Sequence, residues 1–174
     1  MIHFTHQNDS PARRAGFAQV LALALALAAG PLHAEEQPSP AMLATVEALA
    51  KFMSALPAEH ADPMFAVRGV CIVENFAPFL FCGPHAVARW EAGFRAHSAE
   101  EALTGIEAHF GAAHDFTAAG GRAYFSLPTT WIGLTHGRHF EEHGAWAFVL
   151  RQSAGTWRIE GYGWGVTDYT EAAP

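Results

Sequence analysis

Histidine and carboxylate crowd one stretch of this sequence above all others: His136-Gly137-Arg138-His139-Phe140-Glu141-Glu142-His143. If the stretch is a strand, His139, Glu141 and His143 share one face, because alternate residues of a strand point the same way. Neighbours two apart on such a face stand roughly 6.5–7 Å apart, near enough to share a cation. Two imidazoles with a carboxylate are a recognised iron or zinc ligand set. No evident fourth ligand follows, so the expectation is a solvated strand face and no metal site. A second group, His109, His114 and Asp115, precedes it. An imidazole oriented by a carboxylate makes a general base near neutral pH. His114 and Asp115 are chain neighbours and point oppositely on a strand. That leaves His109, with a cross-strand carboxylate, and Asp115 as catalytic candidates. Tyr124, Phe125, Trp131, Trp146, Tyr162 and Trp164 make the same half of the chain rich in aromatics. Rings facing a cavity suit a flat apolar ligand, and Tyr124, Trp131 and Trp146 are the ligand-binding candidates among them. The sequence holds no serine–histidine nucleophile arrangement, phosphate loop or dinucleotide fingerprint, so no cofactor is expected.

These groups need elements to position them. Leu43, Val46, Leu49, Ala50, Met53 and Leu56 recur at three and four, which predicts a helix over 40–56 that Pro57 ends. Asp62-Pro63 punctuates a stretch fit for a single helical turn. Val70–Glu74 and Phe79–Cys82 read as two short strands around a turn at Asn75–Pro78. Pro84 suits the first position of a second helix, with Val87, Trp90 and Phe94 on one face. Ser98 and Glu101 have capping-box spacing, which predicts a restart at Ala99. From Gly105 on, turn residues cut the chain into four strands, about 106–116, 122–134, 138–151 and 156–168. Helices, a short hairpin, a helix and a long meander of curling strands make an α+β fold. Its expected form is a cone-shaped curved antiparallel sheet wrapped around helices.

The N-terminal segment is a different matter. Arg13-Arg14 and the apolar run Phe17–Ala29, closed by Gly30-Pro31 and Leu32-His33-Ala34, have the make-up of a cleavable signal peptide. The run is short for a membrane span. The expected organisation is a signal over 1–34, a tail over 35–39, one domain over 40–168 and a C-terminal tail over 169–174. The expected location is periplasmic or secreted, with no membrane attachment after cleavage. A formal net charge of −7 argues against a nucleic-acid partner, which needs a basic stripe.

Cys71-Ile72-Val73-Glu74-Asn75-Phe76-Ala77-Pro78, followed by Gly83-Pro84-His85-Ala86-Val87-Ala88-Arg89-Trp90, resembles the first hairpin and third helix of SnoaL-like domains of the nuclear-transport-factor-2-like superfamily. Arg122-Ala123-Tyr124, the run Gly144–Arg151, and Gly155-Thr156-Trp157-Arg158-Ile159 with Trp164 are similar to its later strands. The resemblance covers about residues 40–166. It implies a cone whose mouth admits a small, largely apolar molecule, and pairing into a homodimer through the open sheet face. It also implies cofactor-free acid–base chemistry of an isomerase, dehydratase or cyclase, or a non-catalytic binding or interaction module on the same scaffold. In the superfamily's ketosteroid isomerases a catalytic Asp ends the first strand of the hairpin, and the matching position here is Asn75. Glu74 is the neighbouring carboxylate. Strand alternation would turn it to the other face unless a bulge re-aims it. Glu74 joins His109 and Asp115 as a catalytic candidate, and Asn75 joins the ligand-binding set. The isomerases' oxyanion-hole Tyr has no counterpart, because residues 40–56 contain no Tyr.

The two cysteines follow from register. A symmetric turn centred between Phe76 and Ala77 sets Glu74 opposite Phe79, Ile72 opposite Phe81 and Cys71 opposite Cys82. Directly opposed residues have Cα atoms roughly 4.5–5.5 Å apart, within disulfide reach. In an oxidising compartment, a Cys71–Cys82 bridge is expected.

Overall fold

The computed structural model describes residues 36–55 and 60–172. The signal segment expected over 1–34 and the predicted end of the first helix at Leu56 lie outside them. Helix α1 spans Pro40–Ala55 and buries Met42, Val46, Leu49, Ala50, Phe52 and Met53. That stripe at three- and four-residue spacing holds the helix to the sheet, each fully covered side chain contributing about 1.5–3 kcal/mol. A single 3₁₀ turn, Asp62–Met64, follows. Strands β1 (Cys71–Val73) and β2 (Leu80–Cys82) form the short hairpin. Their register is Cys71 to Cys82, Ile72 to Phe81 and Val73 to Leu80, and Cys71 and Cys82 are joined by a disulfide.

Helix α2 spans Ala86–Glu100 without interruption. The restart expected at Ala99 is absent, because Ser98 is buried on the helix instead of capping a new one. The strand expected over 106–116 is two strands, β3 (Thr104–Phe110) and β4 (His114–Ala119), both paired with β5. Between them the Gly111 N–H donates to the Pro128 carbonyl at 2.8 Å, and a Cβ there would stand 3.2 Å from the Pro128 ring. Strands β5 (Arg122–Thr135), β6 (Arg138–Ser153) and β7 (Thr156–Glu171) form the meander. β7 runs past Asp168, where the domain was expected to end, and pairs Glu171 with Phe140. Two-residue loops with positive φ at both positions, His136-Gly137 and Ala154-Gly155, join these strands. Such loops match the right-handed strand twist.

The sheet order is β2-β1-β7-β6-β5-β3, with β4 also on β5. The sheet was expected to be antiparallel throughout, but it is mixed, because β1 lies parallel to β7. A parallel pair needs a long connection, and here α2 and the strands from β3 to β6 intervene between the hairpin and β7. Two irregularities in β7 shape the site. Val149 faces Gly161 while Leu150 faces Ile159, which leaves Glu160 as an extra residue. His143 faces Asp168 while Gly144 faces Val166, which leaves Thr167 extra. Each bulge bends the strand and shifts its inward phase by one residue. Ile159, Tyr162 and Trp164 are therefore all buried. Trp146 is fully buried in the core among the rings of Phe110, Trp131, Phe148, Tyr162 and Trp164.

Candidate functional site

A cavity of about 250 Å³ opens between the C-terminal half of α2, the β1–β2 turn and the sheet. Phe94, His97 and Glu101 reach it from one face of α2 and the residue beyond it, three and four positions apart. Trp131, Phe140, Glu142, Trp146, Trp164 and Tyr169 reach it from the long strands. Helix α1 contributes Met53.

Glu74 is the carboxylate at the depth of this cavity, 5% exposed. The alternation that buries Ile72 continues through Glu74 and Phe76, so no bulge is needed to turn Glu74 inward. This corrects the expectation that Asn75 occupies the inward position. Asn75 touches the cavity wall but is otherwise exposed. Two donors hold Glu74. Trp90 Nε1–H donates to Oε1 at 3.0 Å, and the Tyr162 hydroxyl donates to the same oxygen. Trp90 is itself fixed, fully buried, stacked on Phe94 and edge-on to Tyr162. Among the described residues no hydrogen bond goes to Oε2, which leaves it to the cavity. Burial pushes the Glu74 carboxyl up to about 7, outweighing the Tyr162 and Trp90 hydrogen bonds that pull it down. The charge of Glu142 adds to the rise. Burial, with the Glu74 charge, holds the Tyr162 hydroxyl well above its ordinary value, so it remains a donor.

Glu142 repeats the arrangement. Trp164 Nε1–H donates to its Oε1 at 2.9 Å, and burial raises its pKa against that hydrogen bond. Gly144 makes room for the tryptophan. A Cβ at Gly144 would stand 2.6 Å from Trp164 Cη2. Glu74 and Glu142 are thus each held through one oxygen by an indole N–H and open at the other.

Glu160 and Glu91, by contrast, have cations. Glu160 accepts from Arg122 Nε and from Arg151 Nε at 3.0 Å, and the Arg122 bond leads the causes that hold its pKa low. Glu91 is 6% exposed at its side chain and pairs with Arg95 at 3.0 Å and His60 at 3.2 Å. Burial acts to raise its pKa, but the bonds from Arg95, the Ala61 N–H and His60 outweigh it, and the pKa is lowered.

The sequence-based candidates divide. Glu74, Asn75, Trp131 and Trp146 line the cavity. His109, Asp115 and Tyr124 do not. Ile106, Ala108 and Phe110 take the inner face of β3, with Ala108 opposite Trp131, which turns His109 outward with its side chain 59% exposed. Asp115 is exposed with φ 54° at the irregular start of β4. Tyr124 alternates with buried Ala123 and Phe125 and is therefore on the outer face. In the histidine-rich stretch, His143 bonds Glu141 at 3.1 Å and Thr130 Oγ1 at 3.0 Å, and no three potential metal ligands converge among the described residues. Glu142, Trp90, Tyr162 and Tyr169 are site residues that sequence reasoning passed over. The alternation that sets His139, Glu141 and His143 on one face sends Phe140, Glu142 and Trp146 to the other.

No family model and no curated protein matches the sequence. Solved structures do. A scytalone dehydratase-like protein from Novosphingobium aromaticivorans superposes with a TM-score of 0.62 at 12% identity, over 77% of this chain and 87% of that one. A hexachlorocyclohexane dehydrochlorinase, LinA type 2, gives 0.60 at 6% identity, over 76% and 87%. A nuclear-transport-factor-2-like protein with a cystatin-like fold, also from N. aromaticivorans, gives 0.54 at 19% identity, over 72% and 79%. At these identities the likeness establishes the fold, which is that of the nuclear-transport-factor-2-like proteins.

Proposed function

We propose that the protein is a cofactor-free acid–base enzyme that moves a proton on a small, largely apolar molecule, with Glu74 as the proton-transfer group. The observation that carries the proposal is the Glu74 carboxyl, buried on the cavity wall, open at Oε2 and raised to about 7. A carboxyl with that pKa is half ionised at neutral pH, where a base both accepts and returns a proton well. Oε2 takes a proton from a ligand carbon, while the Tyr162 and Trp90 donors on Oε1 hold the carboxyl in place. Isomerisation needs only that the same carboxyl return the proton at another atom. Elimination of a halide also needs only this base, because the halide departs as the anion while Oε2 keeps the proton. The aromatic walls exclude water and orient a flat ligand. Two of the solved neighbours carry the names of a dehydratase and a dehydrochlorinase, which agrees with this class of reaction.

Action outside the cytoplasm belongs to the same proposal. It is supported by the composition of residues 1–34 and by the Cys71–Cys82 bridge, a bond typical of oxidising compartments. The aromatic lining alone would equally serve a binding module that turns nothing over. Ring opening of nitrobenzisoxazole separates the two readings, because it requires only abstraction of a carbon-bound proton as the N–O bond breaks to give a phenolate nitrile. The protein should accelerate it with a rate that rises with pH to a plateau above an inflection near 7. Glu74→Gln should remove the acceleration. Equal rates for the two proteins would leave only the binding module.

A further inference from the structure

We propose that the molecule this cavity binds carries a protonated amine on a flat hydrocarbon body, with the ammonium seated at Glu142 among the aromatic side chains of the wall. The inference rests on the cavity reading above and adds the charge of the ligand to it. The titratable side chains on the wall are Glu74, Glu101, Glu142, His97 and Tyr169, and no Lys or Arg lines it among the described residues. Acidic groups run from floor to mouth. Glu74 is 5% exposed, whereas the Glu101 side chain at the rim is 43% exposed. Trp131, Trp146 and Trp164 supply three indole rings to the same wall, with Phe94 and Phe140 beside them. The negative face of an indole attracts a cation within about 6 Å of its centre, most strongly where water is excluded.

The open oxygens give the second half of the argument. Glu142 is fixed by Trp164 through Oε1, and no hydrogen bond from the described residues reaches its Oε2. An N⁺–H donor there makes a charge-assisted hydrogen bond, roughly twice as strong as the neutral bond an alcohol would make. Where this protein buries a carboxylate for structure, at Glu91, it sets the Arg95 guanidinium against it, and the partly covered Glu160 is held by Arg122 and Arg151. At the cavity the donors are indole and phenol, which leave the countercharge to the ligand. A carboxylate ligand would add a further negative charge to this wall. The division of labour follows: Glu142 and the rings hold the ammonium, and Glu74 is left for the proton transfer.

The test is binding of three matched probes, naphthylmethylamine, naphthylmethanol and naphthoate, followed by calorimetry at a pH above the Glu74 inflection. The amine should bind at least about tenfold more tightly than the alcohol, and naphthoate most weakly. Glu142→Gln should abolish the preference for the amine and leave the affinity for the alcohol within about threefold. High salt should weaken the amine alone, a readout independent of whether the variant folds. An alcohol or naphthoate that matches the amine would overturn the inference and leave the proton-transfer reading standing. If none of the three binds, the cavity reading falls and the inference with it.

Discussion

Glu74 immediately follows β1 and Glu160 lies on the neighbouring β7, the first buried and the second partly covered, and their chemistry runs in opposite directions. Glu160 sits at the β7 bulge between Arg122 and Arg151 and is held ionised. Glu74 meets only a phenol and an indole, and burial drives it toward the neutral acid. A hydrogen bond from a neutral donor offsets part of the desolvation of a carboxylate, whereas a guanidinium offsets most of it. The first region therefore titrates near neutrality and can exchange protons with a ligand. The second is a fixed ionic clasp.

The comparison breaks most visibly in activity. Glu74→Gln should lower the rate of nitrobenzisoxazole ring opening by about 10²-fold or more, the usual scale for removal of a general base. Glu160→Gln should leave it within about threefold, since Glu160 is absent from the cavity wall. Equal losses in the two variants would erase the distinction drawn here.

Stability against pH should separate the same two residues. The folded-state pKa of Glu74 lies above 4.5, so the native protein keeps a proton that the unfolded chain releases. That contribution is complete below 4.5 and is lost as pH rises through about 7. In Glu74→Gln the amide oxygen can accept both bonds that Oε1 accepts from Trp90 and Tyr162, and the side chain cannot ionise. Denaturant titrations should show the variant gaining on the parent by up to about 3 kcal/mol between acid and mildly alkaline pH. Glu160 has the opposite sign. Its stabilising pair is present above the unfolded pKa and lost as pH falls, so Glu160→Gln should cost about 1 kcal/mol or less at neutral pH and nothing in acid.

A glycine substitution sharpens the cavity side. Gly144→Ala drives a Cβ against the Gly165 carbonyl and the Trp164 ring, so it must part β6 from β7 there and disturb the Trp164–Glu142 bond. Tryptophan fluorescence should shift, and the variant should lose about 1–3 kcal/mol of stability, the range for overpacking a closed core. A Gly144→Ala protein with unchanged fluorescence and stability would show that Trp164 has room to spare.

Much of the architecture was legible because it rests on local pattern. The stripe of α1, the β1–β2 register and the turns of the meander are written in spacing and in turn residues. The site was legible only in part. Ile72 is an obvious core residue, and two positions on stands Glu74, so alternation alone places Glu74 inside. The resemblance to the superfamily's hairpin pointed to Asn75 instead. Glu142 was hidden by its neighbours, since the histidines drew attention to the opposite face of the same strand. His109 and Asp115 depended on how β3 and β4 sit against β5, and the break at Gly111 gives no periodic signal. The bulges at Glu160 and Thr167 were out of reach for the same reason. Each adds one residue to β7, which brings Tyr162, Trp164 and Tyr169 to the cavity side by a phase change that no repeat announces.

The central claim is that Glu74 is a buried, protonatable carboxyl facing a ligand cavity. Its most direct test is a carbon NMR titration of protein labelled at the glutamate side-chain carboxyls, with Glu74 assigned by its absence in Glu74→Gln. The account predicts one resonance that titrates near 7, well apart from the Glu160 resonance, which stays ionised below the ordinary range. A Glu74 resonance that titrates at or below 4.5 would contradict it.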